Sequence, residues 1–183
     1  MKLDPLNTAR PSAFVELAMR LEADHEQIKA MCSALCQQSI HHATGMSSYV
    51  TIQGLIELRQ EAEALLGELQ RHSQWEEDEL FPVLMHYSHK KIEPTIMPSL
   101  WVLEKDHELA VLYIESFIRA SSTLLHAWRL EPISGADLQS GLKEGCDCLT
   151  QGCFILTAHF QMEEELLFPL AEEILTDMDY LFS

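Results

Sequence analysis

An all-α fold, an up-down-up-down antiparallel four-helix bundle made of two related helical hairpins, is predicted by three features of the sequence. Apolar residues recur at spacings of three and four through four long segments, turn-forming residues separate those segments, and two short motifs each occur twice. Pro11-Ser12 opens the first segment, whose stripe runs from Phe14 through Leu17, Leu21, His25, Ile28, Cys32 and Leu35, and Thr44-Gly45 closes it. The second stripe is Ile52, Leu55, Ala62, Leu65, Leu69, His72, Glu76, Leu80 and Val83. A connection from His89 through Pro94 and Pro98 follows. The third stripe is Leu100, Leu103, His107, Ala110, Ile114, Phe117, Ser121 and Leu124, ended by Glu131-Pro132 and Gly135. The fourth runs from Leu138 through Leu142, Gly145, Leu149, Gly152, Leu156, His159, Glu163, Leu167 and Leu170 to Ile174. Helices of about thirty residues would each be roughly 45 Å long. Short connections favour antiparallel neighbours. Pro82 and Pro169 are expected to kink or end the second and fourth helices locally.

The repeats are specific. Leu-Glu-Ala-Asp-His at 21–25 returns as Leu-Glu-Lys-Asp-His at 103–107, an offset of 82. His72 and Glu76 with Leu80-Phe81-Pro82 return as His159 and Glu163 with Leu167-Phe168-Pro169, an offset of 87. Two hairpins related by a pseudo-twofold axis would produce this pattern.

Composition bounds the function classes. The 183 residues suit one domain, 1–183, with its core at about 12–176, and 47% apolar content predicts a packed interior. A formal net charge of −17 repels phosphate backbones, which argues against nucleic acid as a partner. No run approaches the eighteen or so apolar residues of a membrane span, and MKLDPLNTARP lacks the apolar run of a secretory signal. Five cysteines without framework spacing fit a reducing compartment, so a cytoplasmic location is expected.

The residues that carry chemistry are His25, His72, Glu76, His107, His159 and Glu163. His72 and Glu76, like His159 and Glu163, are four apart and share a helix face. All six lie on the stripes that face the core, and alternating chain direction brings them to about one level. Any one core histidine is ordinarily a satisfied side chain, but six polar groups converging in an apolar interior need a common partner. Unpaired, each costs up to several kcal/mol against a total stability of about 5–15 kcal/mol. A metal pair meets that need: imidazoles are neutral ligands, and two carboxylates can bridge two divalent ions and leave coordination positions open. Zinc suits the same ligand types as iron, so the residues alone leave the metal open.

The paired His-x-x-x-Glu motifs with Leu-Phe-Pro after them, together with the paired Asp-His elements, resemble the hemerythrin-like HHE cation-binding domain over about residues 12–176. Within that family the chain is most similar to the repair-of-iron-centres group. The resemblance implies two non-haem iron ions, with His25 and His72, and His107 and His159, as terminal ligands and Glu76 and Glu163 as bridges. It implies a protein that binds or transforms oxygen, nitric oxide or peroxide, with an iron–sulfur protein as client in a repair role. A non-catalytic module that stores iron or senses iron or redox state is the alternative. Two departures stand out: only about eleven residues precede the first helix, where many repair proteins carry a cysteine-bearing domain, and the fifth histidine and the aspartate of oxygen-carrying hemerythrins are not matched.

Several residues admit two readings. Glu22 and Glu104 precede their histidines by three, the Glu-x-x-His spacing of ferritin-like sites, but are read as solvated or outer carboxylates. Cys32 and Cys36 follow His25, and Cys148 falls level with Cys36, a candidate redox pair set against the commoner role of small core hydrophobes; Cys146 and Cys153 show no pattern. His41, His42, His86, His89 and His126 are expected to be exposed or capping, Trp75, Trp101 and Trp128 to pack or line the rim, and the methionines to fill the core.

Overall fold

The computed structural model describes the backbone of residues 11–44, 48–88, 96–130 and 134–182, all of it helical except Ser134. The elements are α1 (Pro11–Thr44), α2 (Ser48–Trp75), a π-helical turn (Glu76–Leu80), α3 (Phe81–Ser88), α4 (Ile96–Leu130) and α5 (Gly135–Phe182). Because α2, the π turn and α3 follow one another without a break, the chain forms four rods. Gly45, the segment from His89 to Pro94, and Glu131-Pro132 lie outside the described residues.

The ends obey local chemistry. Ser134 caps α5: its Oγ accepts from the Asp137 amide at 3.1 Å and donates to Asp137 Oδ2 at 2.7 Å, which satisfies an orphan donor of the first turn. Pro98 lies in the first turn of α4 rather than in the connection, where its missing N–H has no intrahelical partner to lose. The two interior prolines behave differently from each other. Ahead of Pro82 the ladder widens, with the Phe81 amide bonding back to Glu76 O. Pro169 does not end its helix, because α5 continues to Phe182; its ring lies on an exposed face, where water can take the carbonyl it leaves free.

The rods pack in a circuit, α1 on α2, α2 on α4, α4 on α5 and α5 on α1. The main core draws on all four, with Leu35, Leu58, Leu65, Ile114, Phe117, Leu149 and Leu156 fully or almost fully buried. A second cluster, Leu17, Leu21, Trp75, Leu80, Leu84 and Leu167, lies around the π turn. The predicted metal-binding residues fall between the two clusters. Glycine sets how closely α4 and α5 approach: a Cβ on Gly152 would stand 3.0 Å from Ile114 Cγ1 and 3.3 Å from Ala110 O. Gly67, by contrast, faces open space.

These two glycines therefore predict opposite outcomes in chemical denaturation. Gly152→Val should overpack the α4–α5 seam and lower stability by about 1–3 kcal/mol. Gly67→Ala should be neutral or stabilise α2 by up to about 1 kcal/mol.

Candidate metal centre

The six residues singled out by the sequence are all buried and lie side by side. His25, His159, Glu76 and Glu163 have no solvent exposure, and His72 and His107 retain 2% and 7%. Helical periodicity explains the arrangement, since each pair four apart shares one face of its rod. His72 Nε2 stands 2.9 Å from Glu76 Oε1, and His107 Nδ1 stands 3.7 Å from the other oxygen of the same carboxylate. Glu163 Oε2 lies 3.2 Å from His25 Nε2 and 3.5 Å from His159 Nε2. His25, His72, Glu76 and Glu163 each offer a donor atom within 4.8 Å of the others. The ring of His107 flanks this group, 4.1 Å from that of His159 and 5.6 Å from that of His72 between centroids.

Charge in this space is not balanced by the protein alone. Each of the six side chains has at least one buried nitrogen or oxygen without a hydrogen-bonding partner, and both oxygens of both glutamates are so placed. Orphaned buried groups cost about 1–3 kcal/mol each. Burial, and then the neighbouring Glu163 carboxylate, raise the Glu76 carboxyl well above its usual range. Burial also works against the charge of Glu163, but the neighbouring imidazoles, His159 first, outweigh it and hold that carboxyl low. Desolvation, and then neighbouring imidazoles, push His72 and His107 down to about 3. The arrangement thus favours neutral imidazoles around at least one ionised carboxylate, which is the protonation state a divalent cation requires.

His25 shows the need for a cation most directly. Its Nδ1 lies 2.8 Å from Glu164 Oε1, and its Nε2 faces Glu163. An ionised carboxylate only accepts, so a neutral His25 bonded to Glu164 carries its proton on Nδ1. Its Nε2 lone pair then points at the lone pairs of Glu163, a repulsive contact that a positive ion between them reverses.

Four contributors were not picked out by the stripes. Glu164 bonds His25 and in turn accepts from Lys29 Nζ at 2.7 Å. Ser73 Oγ meets His107 Nδ1 at 3.0 Å. Asp24 Oδ2 lies 3.8 Å from His72 Nδ1. The signal for Lys29 was its spacing of four from His25; Ser73, Asp24 and Glu164 each adjoin a predicted ligand in sequence.

Other expectations divide. Glu22 is exposed, as a solvated carboxylate should be, and the Glu104 side chain lies outside the described residues. Of the two readings of the cysteines, that of small core hydrophobes fits: Cys32, Cys146 and Cys153 are buried, Cys36 and Cys148 are half-buried, and Cys32 and Cys36 lie beside Cys153. Burial first, and then the neighbouring Cys153, push the Cys36 thiol up to about 12, so it stays protonated and inert. Trp75 is buried with Arg20 stacked 4.4 Å over its ring, and Trp128 is exposed. Among the described methionines, Met31 packs on the core while Met19 and Met162 are exposed, because their positions fall off the stripes. His41 and His126 are exposed and His42 is half-buried, its ring occupying the space beside Gly54; His86, His89 and Trp101 lie outside the described side chains.

Two openings reach the centre. A groove of about 730 Å³ between α2 and α4 has Ser73 and His107 in its wall, with Glu77, Val111 and Leu112 beside them. A smaller pocket of about 50 Å³ between α1 and α2 touches His72 and is rimmed by Arg20 and Arg71.

The acid sensitivity of the metal-free protein follows from these shifts. Between pH 6.5 and 4.5 the unfolded chain takes up protons on His72 and His107 that the folded state refuses, so stability falls with pH. Glu76, raised above its ordinary value of 4.5, holds a folded-state proton above that pH and offsets part of this loss. Below 4.5 that offset disappears, and Glu163, held low, adds a loss of its own. Unfolding free energies from urea titrations should fall gently to pH 4.5 and more steeply below it, each differentially bound proton contributing about 1.4 kcal/mol per pH unit; a flat profile would contradict neutral buried imidazoles.

Comparison with known proteins agrees with the geometry. Residues 17–144 match the family model for the hemerythrin HHE cation-binding domain, a stretch that includes His25, His72, Glu76 and His107. Neither the curated proteins nor the solved structures gave a match. Matched over well more than half its length, and with a buried cluster of histidines and glutamates between its helices, the chain belongs to the hemerythrin HHE cation-binding family.

Proposed function

We propose that the protein holds a pair of iron ions on His25, His72, His107 and His159, with Glu76 and Glu163 as bridges, and uses them to bind or transform a small ligand such as oxygen, nitric oxide or peroxide. The observation that carries this reading is the set of inward-facing nitrogen and oxygen atoms that no group of the protein satisfies. Glu76 presents one oxygen to His72 and turns the other toward the His107 ring, whose Nε2 is the nitrogen left without a partner, and a carboxylate so placed suits two positions. The donor atoms of His25 and His72 gather with the two glutamates into one position, which leaves His107 and His159 for the other. Bound iron supplies open coordination positions and exchangeable electrons; the chain's own part is to keep His72 and His107 neutral, orient the four imidazoles and exclude bulk water. The α2–α4 groove supports access by a small molecule, because it reaches the edge of His107 without exposing the other ligands.

The same reading extends to the whole molecule. Contacts of His25 with His72 and of Gln38 with Glu61 support opposed directions for α1 and α2. Those of Gly145 with Phe117 and of His159 with His107 do the same for α4 and α5. Together they favour an up-down-up-down bundle with internal pseudo-twofold symmetry. Free thiols at all five cysteines favour a reducing, cytoplasmic setting, and among the described residues no helix is long and apolar enough to cross a membrane. A role in supplying iron to damaged iron–sulfur proteins fits a centre with one accessible edge.

Elemental analysis of protein purified without added metal or chelator, with an absorption spectrum of the same sample, tests the proposal. About two irons per chain and a near-ultraviolet band are expected; zinc, or no metal after anaerobic reconstitution with ferrous iron, would overturn it. Glu76→Ala and Glu163→Ala should each lose at least half of the metal and lower the Tm of the loaded protein. Metal content and Tm equal to wild type in both variants would remove these carboxylates from the site.

A further inference from the structure

The two halves of the centre resemble each other in their ligands but not in what surrounds them. On one side, His25 is fully buried, its ring 4.3 Å from that of Phe160, and its Nδ1 is bonded to Glu164 Oε1, the same oxygen that accepts from Lys29. On the other, the repeat-equivalent histidine, His107, has its Nδ1 against the neutral hydroxyl of Ser73 and lines the open α2–α4 groove. The repeat counterpart of Glu164 is Glu77, which is exposed and lines that groove. The counterpart of Lys29 is Val111, so the charged brace has no equivalent.

A carboxylate bonded to the far nitrogen of a ligating imidazole fixes its tautomer and makes the near nitrogen a better donor, an effect worth about 10–100-fold in metal affinity. A hydroxyl, being neutral, does much less. Lys29 adds a second constraint by holding the carboxylate in place, so that Glu164 does not have to be ordered when metal binds.

We propose that Glu164, held by Lys29, is a positioning residue that makes the two metal positions unequal. The His25–His72 position is the tight one, and the His107–His159 position, open to the groove, loads last, releases first and meets the external ligand. The inference rests on the two-metal reading above. A second opening, the pocket at His72, is lined by Asp24 and Glu68 as well as Arg20 and Arg71, and at about 50 Å³ it is far narrower than the groove, which disfavours it as the main route.

The experiment is an anaerobic titration of the metal-free protein with Co(II), followed by absorbance and calorimetry. Wild type should show two resolved steps. Glu164→Ala should weaken the first step about 10–100-fold and leave the second in place. Glu164→Gln, which keeps an acceptor for Nδ1–H but loses the charge, should fall between, and Glu165→Ala, on an exposed neighbour bonded by Gln161, should change neither step. In the diamagnetic zinc-loaded protein, the Nδ1–H of His25 should be a slowly exchanging ring proton in wild type and in Glu164→Gln, and should be lost from Glu164→Ala. Two equal steps in wild type, or equal weakening of both steps in Glu164→Ala, would overturn the inequality while leaving the two-metal reading intact. Failure of wild type to bind any Co(II) would instead overturn the two-metal reading, and this inference with it.

Discussion

The structure depends on the meeting of two buried carboxylates, Glu76 and Glu163, with four imidazoles, and among the described residues no lysine or arginine is buried beside them. Two like charges at this depth repel, and the chain's partial remedy is visible in their divergent acidities: one carboxyl is pushed toward the protonated form and the other is held ionised by His159 and His25. That remedy leaves lone pairs facing lone pairs. Hydrophobic substitution would relieve the strain at less cost, because replacing buried ionic groups with well-packed apolar ones is often neutral or stabilising. Retaining six such groups between two otherwise ordinary apolar clusters makes sense when a cation completes them.

The rest of the molecule follows from holding those groups still. Each ligand side chain projects from a long helix rather than a loop, and the layers on either side are packed tightly. Phe117, Ile114, Leu149 and Leu156 lie on one side, and Leu21, Trp75, Leu84 and Leu167 on the other. The π turn begins at Glu76 itself, at the level of the ligands, where one extra residue per turn changes the direction of everything after it. Close approach of α4 and α5 through Gly145 and Gly152 draws His107 and His159 together, and the looser seam between α2 and α4 leaves the groove.

Much of this was legible in the sequence because helical periodicity and ligand chemistry act locally. The apolar stripes, the four-residue spacing of His72 with Glu76 and of His159 with Glu163, and the paired Asp-His elements identify the helices and the buried polar set without tertiary information. What depended on the relative sliding of helices was not legible. Which thiol lies beside Cys36 is one such case, since Cys153 rather than Cys148 is its neighbour. The two prolines are another: the ladder widens ahead of Pro82 but α5 runs on past Pro169, because exposure decides whether a freed carbonyl finds water, and exposure is set by packing. Ser73, Glu164 and Lys29 were hidden because an outer contact has no periodic signature; each lies on a surface-leaning position that sequence reads as solvated.

The asymmetry between the halves shows how a repeat acquires a direction. Duplicated hairpins give two equivalent metal positions as long as their surroundings stay equivalent. Ligands resist change, since losing one strands the others in an apolar interior. Outer contacts are freer to diverge, because Glu164 and Lys29 remain half in water and neither is stranded when its partner changes. On the two-metal reading, divergence there would set a retained ion apart from an exchangeable one without touching the ligand set. A protein that must both keep a centre assembled and let a small molecule or an ion reach it needs that distinction, and three side chains, Lys29, Glu164 and Ser73, would be enough to draw it.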